Sequence, residues 1–205
     1  MDIKKVRAHL KDMLEARGDD VSYIEEHGDA IADERYVNSV VALTTDKTVV
    51  LFALSDAAVT ALRKTVSQLT IDAMTKKCWW CDVSSTSKVQ KDKGRSRFIV
   101  VLASQPTSQT LRLFDQYSSV LQVFYTKELT YNPLRHELVP KHRILSDKEK
   151  QAIMEEYRIE KPRHMPLIDN SDVICRWLGV RPGDVVEITR HNDSSGAYLY
   201  YRYCV

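Results

Sequence analysis

Pro182-Gly183-Asp184-Val185-Val186-Glu187-Ile188-Thr189-Arg190, then Asp193-Ser194-Ser195-Gly196 and Ala197-Tyr198-Leu199-Tyr200-Tyr201-Arg202-Tyr203-Cys204, reads as turn, strand, turn, strand. Proline pre-sets φ and glycine accepts the positive φ of a tight turn, so Pro182-Gly183-Asp184 marks a reversal. The β-branched run Val185 to Arg190 and the aromatic run Ala197 to Cys204 then pair back as a β-hairpin. Alternation puts Tyr198 and Tyr200 on one face and Tyr201 and Tyr203 on the other. Working outward, Asp172 caps a short helix ending at Gly179. Ser146-Asp147-Lys148-Glu149 forms a capping box, with Ile153, Met154 and Tyr157 as the buried side of its helix. Five of the six prolines, Pro133, Pro140, Pro162, Pro166 and Pro182, fall after residue 130 and keep regular elements short. Residues 131–205 therefore read as a small α+β domain ending in a hairpin.

Residues 1–130 have another texture. Ile3, Val6, Leu10, Met13 and Leu14 recur at helical spacing, with Asp2 as cap and Gly18 as left-handed stop. A second short helix is expected around Val21 to His27. Val37 to Leu43 and Thr48 to Leu54 predict two strands joined by a short turn. Val59, Leu62, Val66 and Leu69 give a helical stripe after a cap at Ser55 or Asp56. Strands starting at Phe98 and covering Val120 to Tyr125 follow. Between them lies a helix with Pro106 in its first turn and Leu111, Leu113 and Phe114 among its apolar residues. Strands alternating with helices predict an α/β domain with a mixed sheet. The boundary falls near 128–134.

Composition agrees with two folded domains and excludes several classes. At 205 residues and roughly 150 per domain, the chain holds about 1.4 domains. A hydrophobic content of 43% supports real cores and excludes a wholly disordered chain. The net charge of +2 excludes a highly basic nucleic-acid coat and a strongly acidic tail protein. Met1 to Arg17 carries too many charges for a signal-peptide core. The longest apolar runs, Val49 to Leu54 and Phe98 to Ala103, are far short of the roughly 20 residues of a membrane helix. Four cysteines are too few for a disulfide scaffold, so the chain reads as soluble, intracellular and thiol-reduced.

Catalytic signatures fail one by one. No phosphate-binding loop, GxGxxG or GxSxG occurs. His136-Glu137 starts like a zinc-protease motif, but the fifth residue is Pro140 and His142 comes one residue late. Cys78-Trp79-Trp80-Cys81 admits a thiol–disulfide oxidoreductase or half a metal site. No helical stripe follows it, and Cys175 and Cys204 are distant and isolated, so buried reduced cysteines are the better reading. Lys88, Lys91, Lys93, Arg95 and Arg97 against Asp92 make a basic loop. It suits a solvated lysine-rich loop and a phosphate contact equally, and it contains no aromatic residue for base stacking. A free-standing DNA-binding regulator conflicts with the near-neutral charge.

His136-Glu137-Leu138-Val139-Pro140-Lys141-His142, with Leu145-Ser146, resembles the hallmark of the fifth-subunit family of multisubunit DNA-directed RNA polymerases, which has archaeal as well as eukaryotic-type members. The resemblance continues through Asp172, Arg176 and Gly179, then Gly183-Asp184-Val185-Val186, Ile188 and Arg190. It closes with Ser195-Gly196, Tyr198 and Tyr201-Arg202. Departures are Val173 where the family has proline, Ala197 for a common arginine, Asp193 for glutamate, and Met165-Pro166-Leu167-Ile168. Upstream, Lys127 to Asn132 and Pro106-Thr107 also resemble the family. Archaeal members lack the first part, and its divergent form here looks like the version carried by a large cytoplasmic DNA virus.

The resemblance implies an N-terminal α/β jaw domain (1–130) beside downstream double-stranded DNA and a C-terminal α+β assembly domain (131–205) on the polymerase's largest subunit. It implies a non-catalytic subunit without cofactor, membrane or small-molecule substrate, in host cytoplasm and virion if viral and in the nucleus if cellular. The expected docking residues are Leu138, Val139, Pro140, Lys141, His142, Arg176, Arg190, Tyr198, Tyr201 and Arg202. Of these, Leu138 to Pro140 suit an extended apolar segment packed into a core or a partner, with Lys141 and His142 projecting polar tips. Each tyrosine of the hairpin, taken singly, suits core.

Overall fold

Phe98-Ile99-Val100-Val101-Leu102 is buried at every position, as a strand covered on both faces must be. It is the third strand of a sheet in the first of two compact units, Met1–Tyr131 and Asn132–Val205. The computed structural model describes residues 3–22, 40–45, 48–62, 64, 66, 98–118, 121–192 and 196–205, with backbone alone for 41–44.

In the first unit, α1 (Ile3–Ala16) precedes β1 (Val41–Thr44), β2 (Val49–Ala53), a helix α2 over 56–62, β3 (Phe98–Leu102), α3 (Ser108–Gln116) and β4 (Leu121–Tyr125). The sheet order is β1-β2-β3-β4; β1 and β2 pair antiparallel, and β2, β3 and β4 pair parallel. This is the expected mixed sheet. Leu51, Ala53, Val100, Leu102 and Leu121 share one face, where Val59 and Leu62 of α2 and Phe114 of α3 pack. Gln122 lies on the other face, and its side-chain oxygen accepts from Arg17 beyond the end of α1 at 2.7 Å. Ser55 caps α2 by accepting from the Ala58 amide. At the end of α1, Gly18 takes φ +80° while the Gly18 and Asp19 amides donate to the Glu15 and Leu14 carbonyls, a Schellman stop.

Two expectations change here. Pro106 precedes the helix, because Thr107 is extended as N-cap (ψ 155°) and delays the first helical residue to Ser108. Leu111 is exposed, so the buried side of α3 rests on Thr110 and Phe114. Asp2, Leu69 and residues 23–39, hence most of the second helix and the start of the first strand, lie outside the described residues.

In the second unit, β5 (Lys141–Ile144), α4 (Asp147–Glu156), β6 (Leu167–Ile168), α5 (Val173–Leu178), β7 (Val185–Asn192) and β8 (Gly196–Cys204) follow. The sheet order is β5-β7-β8-β6, and the β7–β8 hairpin is antiparallel as expected. Ile168, Val186, Ile188 and Cys204 meet Cys175 and Leu178 of α5 on one face. Val185 meets Ile153 of α4, with Leu145 and Met165, on the other. The capping box is complete, since Ser146 Oγ accepts from the Glu149 amide and the Glu149 carboxylate from the Ser146 amide. Asp172 caps α5 and Gly179 ends it at φ +72°.

Two readings are corrected and two strands are added. Tyr157 is 56% exposed rather than core, because it falls at the C-cap of α4; its ring meets Tyr201 edge-on at 6.0 Å. β5 and β6 were not foreseen. Cys175 and Cys204 are not isolated: they share one buried core cluster, and burial pushes their thiols up to about 12 and about 11, so both stay protonated.

Candidate functional site

Leu138 is 84% exposed. The segment His136 to Pro140 is a turn rather than extended chain: the Val139 amide donates to the His136 carbonyl at 2.9 Å, and the Leu138 amide to His136 Nδ1. That geometry turns Leu138 out of the core, while Val139 and Pro140 stay half-buried. The turn is anchored from above, because Asn132 accepts from the Leu134 amide and Leu134 packs against the α5 side of the sheet.

The chain then enters β5, whose register with β7 decides the rest. His142 lies opposite Ile188, and Ile188 opposite Tyr200, so these three share one sheet face. By the same pairing Arg190 stands opposite Tyr198, and Ile144, Val186 and Arg202 form the neighbouring row of that face. The Arg190 guanidinium carbon sits 4.6 Å from the Tyr200 ring centroid, and that of Arg202 sits 5.6 Å from the same centroid. Two cations on one electron-rich ring make a stack held by cation–π attraction. Tyr198, beyond it toward the hairpin turn, is 39% exposed.

His142 is half-buried beside this stack. Its Nδ1 lies 2.7 Å from the Pro140 carbonyl. A carbonyl only accepts, so Nδ1 carries the proton. Burial lowers the imidazole below its ordinary range; Asp172 opposes that and the Arg190 and Arg202 charges reinforce it. The neutral ring therefore presents Nε2 as an acceptor near physiological pH.

The opposite face is built from paired charges. Arg143 grips Glu187 with Nε and Nη2 at 3.0 and 3.3 Å, and reaches Glu149 with Nη1 at 2.7 Å. Arg143 and the Ser146 cap pull Glu149 down to about 2. Tyr201 is on this face beside Glu187 and Tyr157. Lys141 is exposed opposite Thr189, and Lys150 reaches from α4 to the Gly183 carbonyl at 2.6 Å and over the Tyr203 ring.

Of the expected docking residues, the fold brings His142, Arg190, Tyr198 and Arg202 to one face and places Tyr201 on the other. Leu138 to Lys141 occupy the turn and the first strand position, and Arg176 is half-buried on α5. Tyr200, which joins the two arginines, was foreseen only as one hairpin tyrosine among several; its even parity with Tyr198 and Arg202 is the signal for it. Cys78, Cys81 and the basic residues Lys88, Lys91, Lys93, Arg95 and Arg97 lie outside the described residues. Among the described residues, no helix is long and apolar enough to cross a membrane.

Comparison with known proteins gives this geometry a setting. Residues 131–204 match the family described as RNA polymerase Rpb5, C-terminal domain. The chain is 48% identical over 75 residues to DNA-directed RNA polymerase subunit Rpo5 of Pyrococcus abyssi, covering 37% of this chain and 90% of that protein. It is 35% identical over 121 residues to the DNA-directed RNA polymerases I, II, and III subunit rpabc1 of Dictyostelium discoideum, covering 57% and 61% respectively. An alignment that long cannot fit within residues 131–205, so similarity extends into the first unit. Subunit 5B of DNA-directed RNA polymerases IV and V of Arabidopsis thaliana is 34% identical over 107 residues. The chain belongs to the Rpo5/Rpb5 family, the fifth subunit of DNA-directed RNA polymerases. Its relatives are parts of an enzyme complex, which supports a non-catalytic subunit and does not favour an oxidoreductase at Cys78 and Cys81.

Proposed function

We propose that the chain is a structural polymerase subunit of two domains, an N-terminal jaw over residues 1–130 and an assembly domain over 131–205. The assembly domain docks on the largest subunit through Leu138, Val139, Pro140, Lys141, His142, Arg176, Arg190, Tyr198, Tyr201 and Arg202. The observation that carries this reading is the turn that holds a leucine 84% exposed at the head of β5. An anchor of that kind gains its burial from a partner. Deleting residues 131–205 abolishes co-purification with the largest subunit, and Leu138→Asp in the full chain weakens it without lowering the melting temperature. Stoichiometric binding by the truncated chain overturns the reading.

The jaw lies beside downstream duplex, and the basic stretch from Lys88 to Arg97 touches its phosphates. Neutralising Lys88, Lys91, Lys93, Arg95 and Arg97 then flattens the salt dependence of DNA binding by the assembled polymerase, whereas an unchanged slope removes that role. The divergence of the first 130 residues supports a viral source, African swine fever virus, with the protein in host cytoplasmic factories and in the virion. A cellular member of the family works in the nucleus instead. Peptide mass identification from infected cells checks the source.

A further inference from the structure

We propose that the Arg190–Tyr200–Arg202 stack is a carboxylate receptor, taking one Asp or Glu side chain of a neighbouring polymerase subunit between its two guanidinium groups. This rests on the docking reading above and adds the chemistry of the partner.

The two cations share one ring, at 4.6 and 5.6 Å from its centroid, so their charges lie within about 10 Å of each other. Like charges at that range repel, and proteins normally place a carboxylate between them. Arg143 on the opposite face shows the normal arrangement in this same unit, with Glu187 and Glu149 both bonded to it. Among the described residues, neither Arg190 nor Arg202 forms an ion pair. A second observation points the same way. Arg202 Nε is buried with no hydrogen-bond partner among the described residues. A buried N–H without an acceptor costs free energy and calls for an explanation. An acceptor arriving with a partner supplies one once the Arg202 side chain turns to uncover that N–H.

The stack also suits the geometry of a carboxylate. Packing on Tyr200 restrains each guanidinium plane, and the in-plane N–H donors form the fork that matches a carboxylate edge to edge. His142 does not compete for the anion as a third cation, because it is neutral and its Nδ1 proton is committed to Pro140. A phosphate backbone fits less well. Duplex binding takes a row of cations spaced along the strand, whereas here two arginines converge on one ring in a domain of net charge +1 (12 basic and 11 acidic residues over 131–205).

The test uses the full chain and polymerase assembled without it. Arg190→Lys and Arg202→Lys keep the charge but replace the fork with an amine, which a zero-length carbodiimide couples to any carboxylate in contact. The expected product joins position 190 or 202 to an Asp or Glu of another polymerase subunit, and the native chain gives none. The double variant Arg190→Gln/Arg202→Gln binds about tenfold more weakly and with a flatter salt dependence. Native affinity in that variant, or coupling only to Asp172 of the same chain, overturns the receptor. Loss of duplex DNA binding with polymerase assembly intact overturns it in favour of a phosphate. If the double variant assembles normally while Leu138→Asp does not, the receptor falls and the docking reading stands. If the native chain fails to assemble, the docking reading falls first.

Discussion

The two sheets of this protein solve opposite problems. In the first unit β3 is buried at all five positions, with α2 and α3 on one face and contacts from the end of α1 reaching the other. In the second unit one helix packs on each face of the sheet, and β8 runs out from a buried Cys204 through half-buried Arg202 and Tyr200 to exposed Tyr198. A strand buried on both faces gains stability and offers none of its side chains to a partner. An open sheet gives up burial and keeps cations, aromatics and an exposed leucine for something else. Positions that look alike in sequence, such as Leu51 and Leu138, therefore differ in what their removal does.

That contrast gives the largest expected effect. Leu51 is fully buried in the β2 core, so Leu51→Ala costs about 2–5 kcal/mol of stability, the transfer term plus the cavity. Leu138→Ala changes stability by less than about 0.5 kcal/mol, as surface substitutions do, while weakening assembly with the polymerase. Urea unfolding of both variants measures the first pair of numbers. Equal losses erase the distinction between a sheet built for stability and one left open for a partner.

How much was legible follows from the same difference. Phe98 to Leu102 announces itself because a strand buried on both faces is apolar throughout. The capping box, the Asp172 cap and the Gly179 stop are local chemistry, and each appears where its residues predict. β5 is Lys-His-Arg-Ile, three basic residues in four, and it is a strand only because Val186 to Thr189 pair with it. Without that register His142 cannot be placed beside Arg190 and Arg202. Parity along β8 does group Tyr198, Tyr200 and Arg202, so two of the three members of the stack are legible from the sequence. The Cys175–Cys204 contact could not, because the two lie far apart in the chain and only the packing of α5 on β8 joins them.

A smaller effect probes what holds the paired-charge face. Ser146→Ala removes the N-cap of α4 and costs about 1 kcal/mol. The Glu149 carboxyl, ordinarily near 4.5, is held down to about 2 by Arg143 and by the Ser146 amide and hydroxyl. A group whose folded pKa is depressed contributes stability that is fully present above its unfolded pKa and is lost as pH falls. The second unit accordingly loses stability between about pH 4.5 and pH 2, and Glu149→Gln flattens that part of the profile. Acid titration of the melting temperature for both chains tests the sign. An unchanged slope in the variant removes Glu149 as its source.

The smallest effect concerns backbone rather than contacts. Arg158 is the one residue other than glycine with positive φ among the described residues, at +52°. It occupies the left-handed stop of α4, where the Arg158 amide donates to the Glu155 carbonyl and the Ile159 amide to the Met154 carbonyl. At the equivalent positions of α1 and α5 the chain uses Gly18 and Gly179, which have no Cβ to strain. If the backbone alone decides this position, Arg158→Gly stabilises the chain by about 0.5–1 kcal/mol, the left-handed penalty of an L-residue less the added freedom of the unfolded chain. A rise in urea midpoint at constant slope is the expected result. A fall shows that the arginine side chain contributes more than its strained backbone costs, which would place a stabilising contact on the α4 side of the sheet as well.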